Sequence, residues 1–171
     1  MGSRGHGLRA YADATSLIAL GRIDRLDLLA LLPGPIYVTA QVWREVAADP
    51  TWPSAEALVR ARDEGALLVV DEGDPDAYPQ LDAGESTVLT AASAAKAIAL
   101  VDERKARNVI AADPALRSAI PQAIGVLGLM LLAKRRGVIP EVKPLVAALV
   151  RAGFWLSPDL VREVLRLANE R

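Results

Sequence analysis

Short apolar runs alternate along this chain with stretches whose apolar positions recur every three or four residues. The runs "LRAYAD" (8–13), "PIYVT" (35–39), "ALLVV" (66–70) and "AIALVD" (97–102) read as strands, and a short fifth strand is expected near "QAIG" (122–125). Between them, 14–32 reads as helices with a break near Gly21. The segment 40–49 has Val42, Trp43 and Val46 on one side, and 53–65 reads as a helix closed by Gly65. A helix begins in "LDAGESTVLTAA" and runs to about Lys96, and another covers 103–113 and ends at Asp113-Pro114. Helices at 126–136, 140–152 and 158–169 complete the chain, while the breaker-rich "DEGDPDAYPQ" (71–80) reads as a loop. Strands separated by helices predict an α/β fold whose mainly parallel sheet is covered on both faces. In such sheets functional groups gather at the carboxyl ends of the strands, near the point where strand order reverses.

Composition narrows the chemistry. The 171 residues suit one domain, and 52% hydrophobic with 24% charged residues places the chain among soluble globular proteins rather than disordered ones. The longest apolar stretch, Ala123 to Ala133, has 11 residues and is too short to span a bilayer. Residues 1–7, "MGSRGHG", read as a flexible start with no apolar core behind it, so no leader is expected. Cysteine is absent and the sole histidine, His6, lies in that start. Disulfides, thiolate zinc sites and cysteine nucleophiles are excluded, which leaves carboxylates, hydroxyls, lysine, arginine or an oxygen-held metal for any catalysis. A net charge of −1 excludes nucleic-acid binding by bulk basicity. The charge is uneven, however: Glu45 to Glu85 carries eleven acids against two arginines, and Lys134 onward carries eight bases against four acids.

Five acids stand out by position. Asp13 ends the first strand, Asp102 ends the fourth, Glu45 sits in the helix after the second, and Asp82 and Glu85 open the helix leading to the fourth. Each also has a local explanation: Asp13 and Asp102 as helix caps, Asp82 with Glu85 as a capping box, Glu45 as a solvated side chain. Together they bring carboxylates to one edge of the sheet, where their mutual repulsion favours protonation or a divalent cation. With oxygen donors alone the fitting ions are Mg²⁺ or Mn²⁺, which can activate water against a phosphodiester.

Six segments in order, "DATSLIALGRIDRLDLL", "VTAQVWREV", "LDAGESTVLTAA", "LVDERKARNV", "IGVLGLMLLAKRRGVIPEVKPLV" and "AGFWLSP", make the chain resemble the PIN-domain superfamily from about residue 9 to 166. Within it, the chain is similar to a prokaryotic PIN-like group related to VapC-type toxins. The resemblance implies a three-layer α/β/α fold with a central sheet of four or five strands, one domain over 8–171, and extra helices in 126–171. It implies Mg²⁺ or Mn²⁺ held by Asp13, Glu45, Glu85 and Asp102, with Thr15 as the nearby hydroxyl and Asp82 in support. On this pattern Asp82 caps its helix and Glu85 faces the metal. Implied too are cleavage of RNA and a cognate antitoxin. The apolar helix 126–133, with the amphipathic 140–151 and 158–167, offers surplus apolar surface for a homodimer face or a groove for an antitoxin helix, and a cytoplasmic setting is expected. Two positions depart from the pattern: Val126 stands where a hydroxyl is frequent, and Arg44 precedes Glu45 and could pair with it.

Arg104, Lys105 and Arg107 follow Asp102 and are candidates for substrate phosphates. With only seven aromatic residues a base-stacking platform is not expected, and Trp43, Trp52 and Trp155 read as core or interface anchors. The contrasting reading is a PIN-like binding module that keeps the acids as caps and salt-bridge partners.

Overall fold

A computed structural model describes residues 7–102 and 104–171. The expected flexible start, with His6, lies outside the described residues apart from Gly7, as does Glu103. Five strands form a wholly parallel sheet: β1 (Ala10–Ala12), β2 (Ile36–Thr39), β3 (Leu67–Val70), β4 (Ile98–Leu100) and β5 (Ala123–Ile124), in the order β3-β2-β1-β4-β5. In register, Ala10 lies beside both Ile36 and Ile98. Every residue of β1 and β4 is buried, as expected of parallel strands covered on both faces. The chain builds outward from β1 to β3, then returns to place β4 on the other side of β1. Strand order therefore reverses between β1 and β4.

Crossovers between parallel strands are right-handed as a rule, which sends the helices of the two halves to opposite faces. On one face α1 (Ala14–Arg22) packs with α3 (Ala55–Asp63) and α7 (Val126–Arg135). On the other, α4 (Ala83–Ala95) lies against β1, β2 and β4 and meets α5 (Arg104–Ala112) and α6 (Pro114–Ala119). The short α2 (Ala40–Val46) touches both α1 and α4. Two further helices, α8 (Lys143–Arg151) and α9 (Pro158–Leu167), finish the chain, with α9 reaching α7. This is the three-layer α/β/α arrangement that the sequence predicts.

Local features refine the sequence reading. The break expected near Gly21 falls just after it, where α1 ends at Arg22; Gly21 itself is helical, and a Cβ there would fall 2.7 Å from the Ser54 Cβ, so the glycine permits α3 to approach. The reversal comes later, at Asp24 (φ 57°), and is followed by a 3-10 helix over Leu26–Leu31. Asp113-Pro114, expected only to end a helix, also starts α6. Asp113 accepts hydrogen bonds from Ala115 N (2.8 Å) and Leu116 N, and Pro114 occupies the first turn, where its missing N–H costs nothing.

Candidate functional site

Asp13 and Asp102 meet at the point where the sheet reverses order. Asp13 follows β1 directly, and its backbone N–H donates to Leu100 O at the end of β4 (2.9 Å). Its carboxylate is 1% exposed. Oδ1 accepts from Ser16 N (2.8 Å), which caps α1, and Oδ2 accepts from Asp102 N (2.9 Å). Burial pushes the Asp13 carboxyl up to about 6; hydrogen bonds from Ser16 and the Asp102 amide pull it down, and the nearby Asp102 carboxylate pushes it up. The Ser16 hydroxyl lies beside this carboxylate, fully buried, without a well-aligned hydrogen bond. Thr15, the hydroxyl singled out from the sequence, is half-buried one residue earlier on α1.

Asp102 is half-buried, and its Oδ1 accepts from Val126 N (3.1 Å) at the start of α7. Val126 thus serves through its amide while its side chain joins the core at 1% exposure. No hydroxyl is needed for that contact. At Gly125 a Cβ would stand 3.0 Å from Asp102 Oδ1 and 3.5 Å from Arg107 Nη1, so the glycine leaves acid and guanidinium facing one another across bare backbone.

Glu45 projects from α2 onto the first turn of α4. A Cβ at Gly84 would fall 2.5 Å from Glu45 Oε1 and 2.7 Å from Oε2, so only glycine admits the carboxylate there. Burial raises the Glu45 pKa and Asp82 adds to the rise; Gln41, the Gly84 amide and Arg44 oppose it. Arg44 does not pair with Glu45 directly. It donates to Gln41 Oε1 (2.6 Å), and Gln41 Nε2 lies 3.5 Å from Glu45 Oε1. Asp82 and Glu85 form a complete capping box: Glu85 N donates to Asp82 Oδ1 (2.8 Å) and Asp82 N to Glu85 Oε2 (3.1 Å). The division of labour inferred for these two residues is therefore incomplete. Glu85 shares the capping work, and it does so from a buried position while Asp82 is exposed.

The basic trio also divides. Arg104 and Arg107 line a cleft of about 630 Å³ together with Asp102, while Lys105 lines a separate one of about 710 Å³ with Tyr78 and Asn108. All three are exposed.

The acids suit a hard divalent ion in donor class, since all are oxygen ligands and no cysteine competes. The raised Asp13 carboxyl beside Asp102 carries a repulsion that a cation relieves. Among the described residues, no three His, Asp or Glu side chains converge closely enough to enclose an ion as they stand. Magnesium tolerates this, because it commonly takes one or two carboxylates and completes its shell with water and phosphate.

The pattern of apolar runs located Asp13 and Asp102. Ser16, Gly84, Gly125 and the Val126 amide were missed as parts of the site. A glycine in the first turn of a helix, as in "LDAGES", was the available signal for Gly84, since it costs helix stability unless something must approach closely. A family model for a PIN domain, DUF3368, matches residues 10–170. No curated protein and no solved structure matches the chain.

Proposed function

Since the chain belongs to this PIN-domain family, whose model spans residues 10–170, we propose that it is a metal-dependent endoribonuclease acting as the toxin of a toxin–antitoxin pair. The observation that carries the reading is the meeting of Asp13 and Asp102 at the sheet's switch point, with Glu45 brought in against Gly84. Asp13, Asp102, Glu45 and Glu85 are the residues that would hold Mg²⁺ or Mn²⁺. Such an ion, when bound, activates water and offsets charge on the phosphodiester.

The chain's own contribution is placement. Two backbone amides fix both oxygens of Asp13, so its carboxylate needs no reordering when substrate arrives. The Val126 amide sets Asp102 in the same way. Asp82 holds Glu85 through the capping box, and the Thr15 side chain is the candidate for orienting a water or ligand. Arg104 and Arg107 supply positive charge beside Asp102 for the substrate phosphates, with Lys105 one position away. No described helix is long and apolar enough to cross a membrane. A cytoplasmic homodimer held in check by an antitoxin completes the reading.

A second reading is favoured by one observation: the acids are already employed. Asp13 accepts from two amides and Asp82 with Glu85 closes a cap, which are structural duties a non-catalytic nucleic-acid- or protein-binding module would also need. A calorimetric Mn²⁺ titration of wild type and Asp13→Asn, paired with cleavage assays on varied RNAs, separates the two. The nuclease reading expects Mn²⁺ binding and Mn²⁺-dependent cleavage, both lost in the variant. Equal behaviour of the two proteins would leave the binding module as the better description.

A further inference from the structure

Trp155 is 83% exposed, the most exposed large hydrophobic side chain among the described residues. Of the two roles expected for it, core or interface anchor, this excludes the core, and it calls for an explanation, because an indole left in water forgoes a large gain from burial. Nor does it hang from a loose segment. Phe154 N donates to Leu149 O (3.1 Å), the Arg22 guanidinium lies 5.5 Å from the Phe154 ring centre, and Leu160 N donates to Ser157 Oγ (3.1 Å) to start α9. Phe154 and Leu156, on either side, are half-buried. The tryptophan is thus held out from an anchored connection between α8 and α9.

It stands at the cleft that also contains Arg104, Arg107, Gly125 and Asp102. At about 630 Å³ the cleft is of a size that takes a small ligand. Its lining combines two chemistries: the exposed Trp155 indole with Leu156, and two guanidinium groups that form no ion pair with any described residue, together with a candidate catalytic acid. An aromatic face with adjacent arginines matches a nucleotide, base on the ring and phosphate on the cations. Bases stacked inside an A-form duplex are out of reach of such a ring.

We infer that this cleft is a subsite for single-stranded RNA, in which an unpaired base stacks on Trp155 and its phosphate lies against Arg104 and Arg107, leading the strand to Asp102. The inference rests on the nuclease reading and adds to it Trp155 as the residue that holds an unpaired base. Stacking tolerates any base, so the subsite selects strandedness rather than sequence.

The test is binding of a labelled single-stranded oligoribonucleotide by fluorescence anisotropy, with chelator and again with Ca²⁺. Competing ligands are its duplex and a base-free sugar–phosphate oligomer. The proteins are wild type, Trp155→Ala and Trp155→Phe, each checked for its melting temperature and sedimentation. The single strand should bind Trp155→Ala about 5- to 100-fold more weakly than wild type, with most of the loss restored in Trp155→Phe. The base-free oligomer should not distinguish the proteins, and the duplex should bind weakly to all. Equal binding of the single strand by wild type and Trp155→Ala overturns the subsite, as does an equal penalty on the base-free oligomer. So does a substitution that alters only sedimentation, which would make Trp155 a protein contact. Separately measured Mn²⁺-dependent cleavage keeps the two ideas apart. Cleavage without base-dependent binding spares the nuclease and removes the subsite, and base-dependent binding without cleavage does the reverse.

Discussion

Asp13 is pulled two ways by its surroundings: burial and Asp102 favour a proton, and two amides favour the anion. The first influence wins, placing its folded pKa at about 6 against 3.8 for the free side chain. A carboxyl raised in this way binds its proton more tightly folded than unfolded. Its stabilising contribution is then complete below about pH 4 and lost as pH rises through about 6. Glu45, also raised, acts in the same direction. In chelator, urea unfolding should show wild type losing up to about 3 kcal/mol from Asp13 across that interval, with a flatter profile in Asp13→Asn. Parallel profiles would mean that another group titrates. At this scale the sequence was informative about identity and poor about use. Asp13 and Asp102 could be picked out because each closes an apolar run. Val126 could be seen only as a missing hydroxyl, since a backbone amide leaves no mark in a side-chain alphabet.

Elements were more legible where burial dictates composition. The sheet strands announced themselves because parallel strands covered on both faces are apolar throughout. Elements set by a few polar contacts were harder. Asp113-Pro114 reads equally as a stop and as a start, and only the packing of α6 against α4 and α5 decides that it is both. The last two helices depend on a contact equally hidden in sequence. Glu170 accepts from Val142 N (2.7 Å), Lys143 N (2.9 Å) and Lys134 Nζ (2.8 Å), capping α8 while tying the region after α9 to α7. Removing that carboxylate leaves two helix N-terminal amides without their acceptor and the Lys134 ammonium with only the Ala168 carbonyl. Glu170→Ala should therefore lower stability by about 1–3 kcal/mol in thermal or urea unfolding. A shift under about 0.5 kcal/mol would show that water replaces the carboxylate without loss.

Across the whole molecule, the alternation of strand and helix was enough to imply the layers and the edge at which acids collect. It could not say how the acids divide there. Glu45 belongs to a helix whose pattern marks only its buried side, and its position became intelligible only once Gly84 was seen to receive it. Trp155 shows a different limit: residue type left core and interface anchor both open, and only the fold shows the indole exposed.

The bonds joining Asp13 to its neighbours have one more consequence. Asp13 N reaches Leu100 O, and Asp102 N reaches Asp13 Oδ2, so the pairing of β1 with β4 continues past the last strand residues and into the two acids. Because it extends the innermost ladder of the sheet, the site cannot open without opening the ladder as well. The amide protons of Asp13 and Asp102 should therefore exchange with solvent deuterium as slowly as those of β1, through global unfolding, whereas active-site backbone on a separate loop would exchange early. Measured by native-state exchange, fast turnover at those two positions would detach the acids from the core. Slow turnover would mean that heat or denaturant inactivates this protein only by melting it.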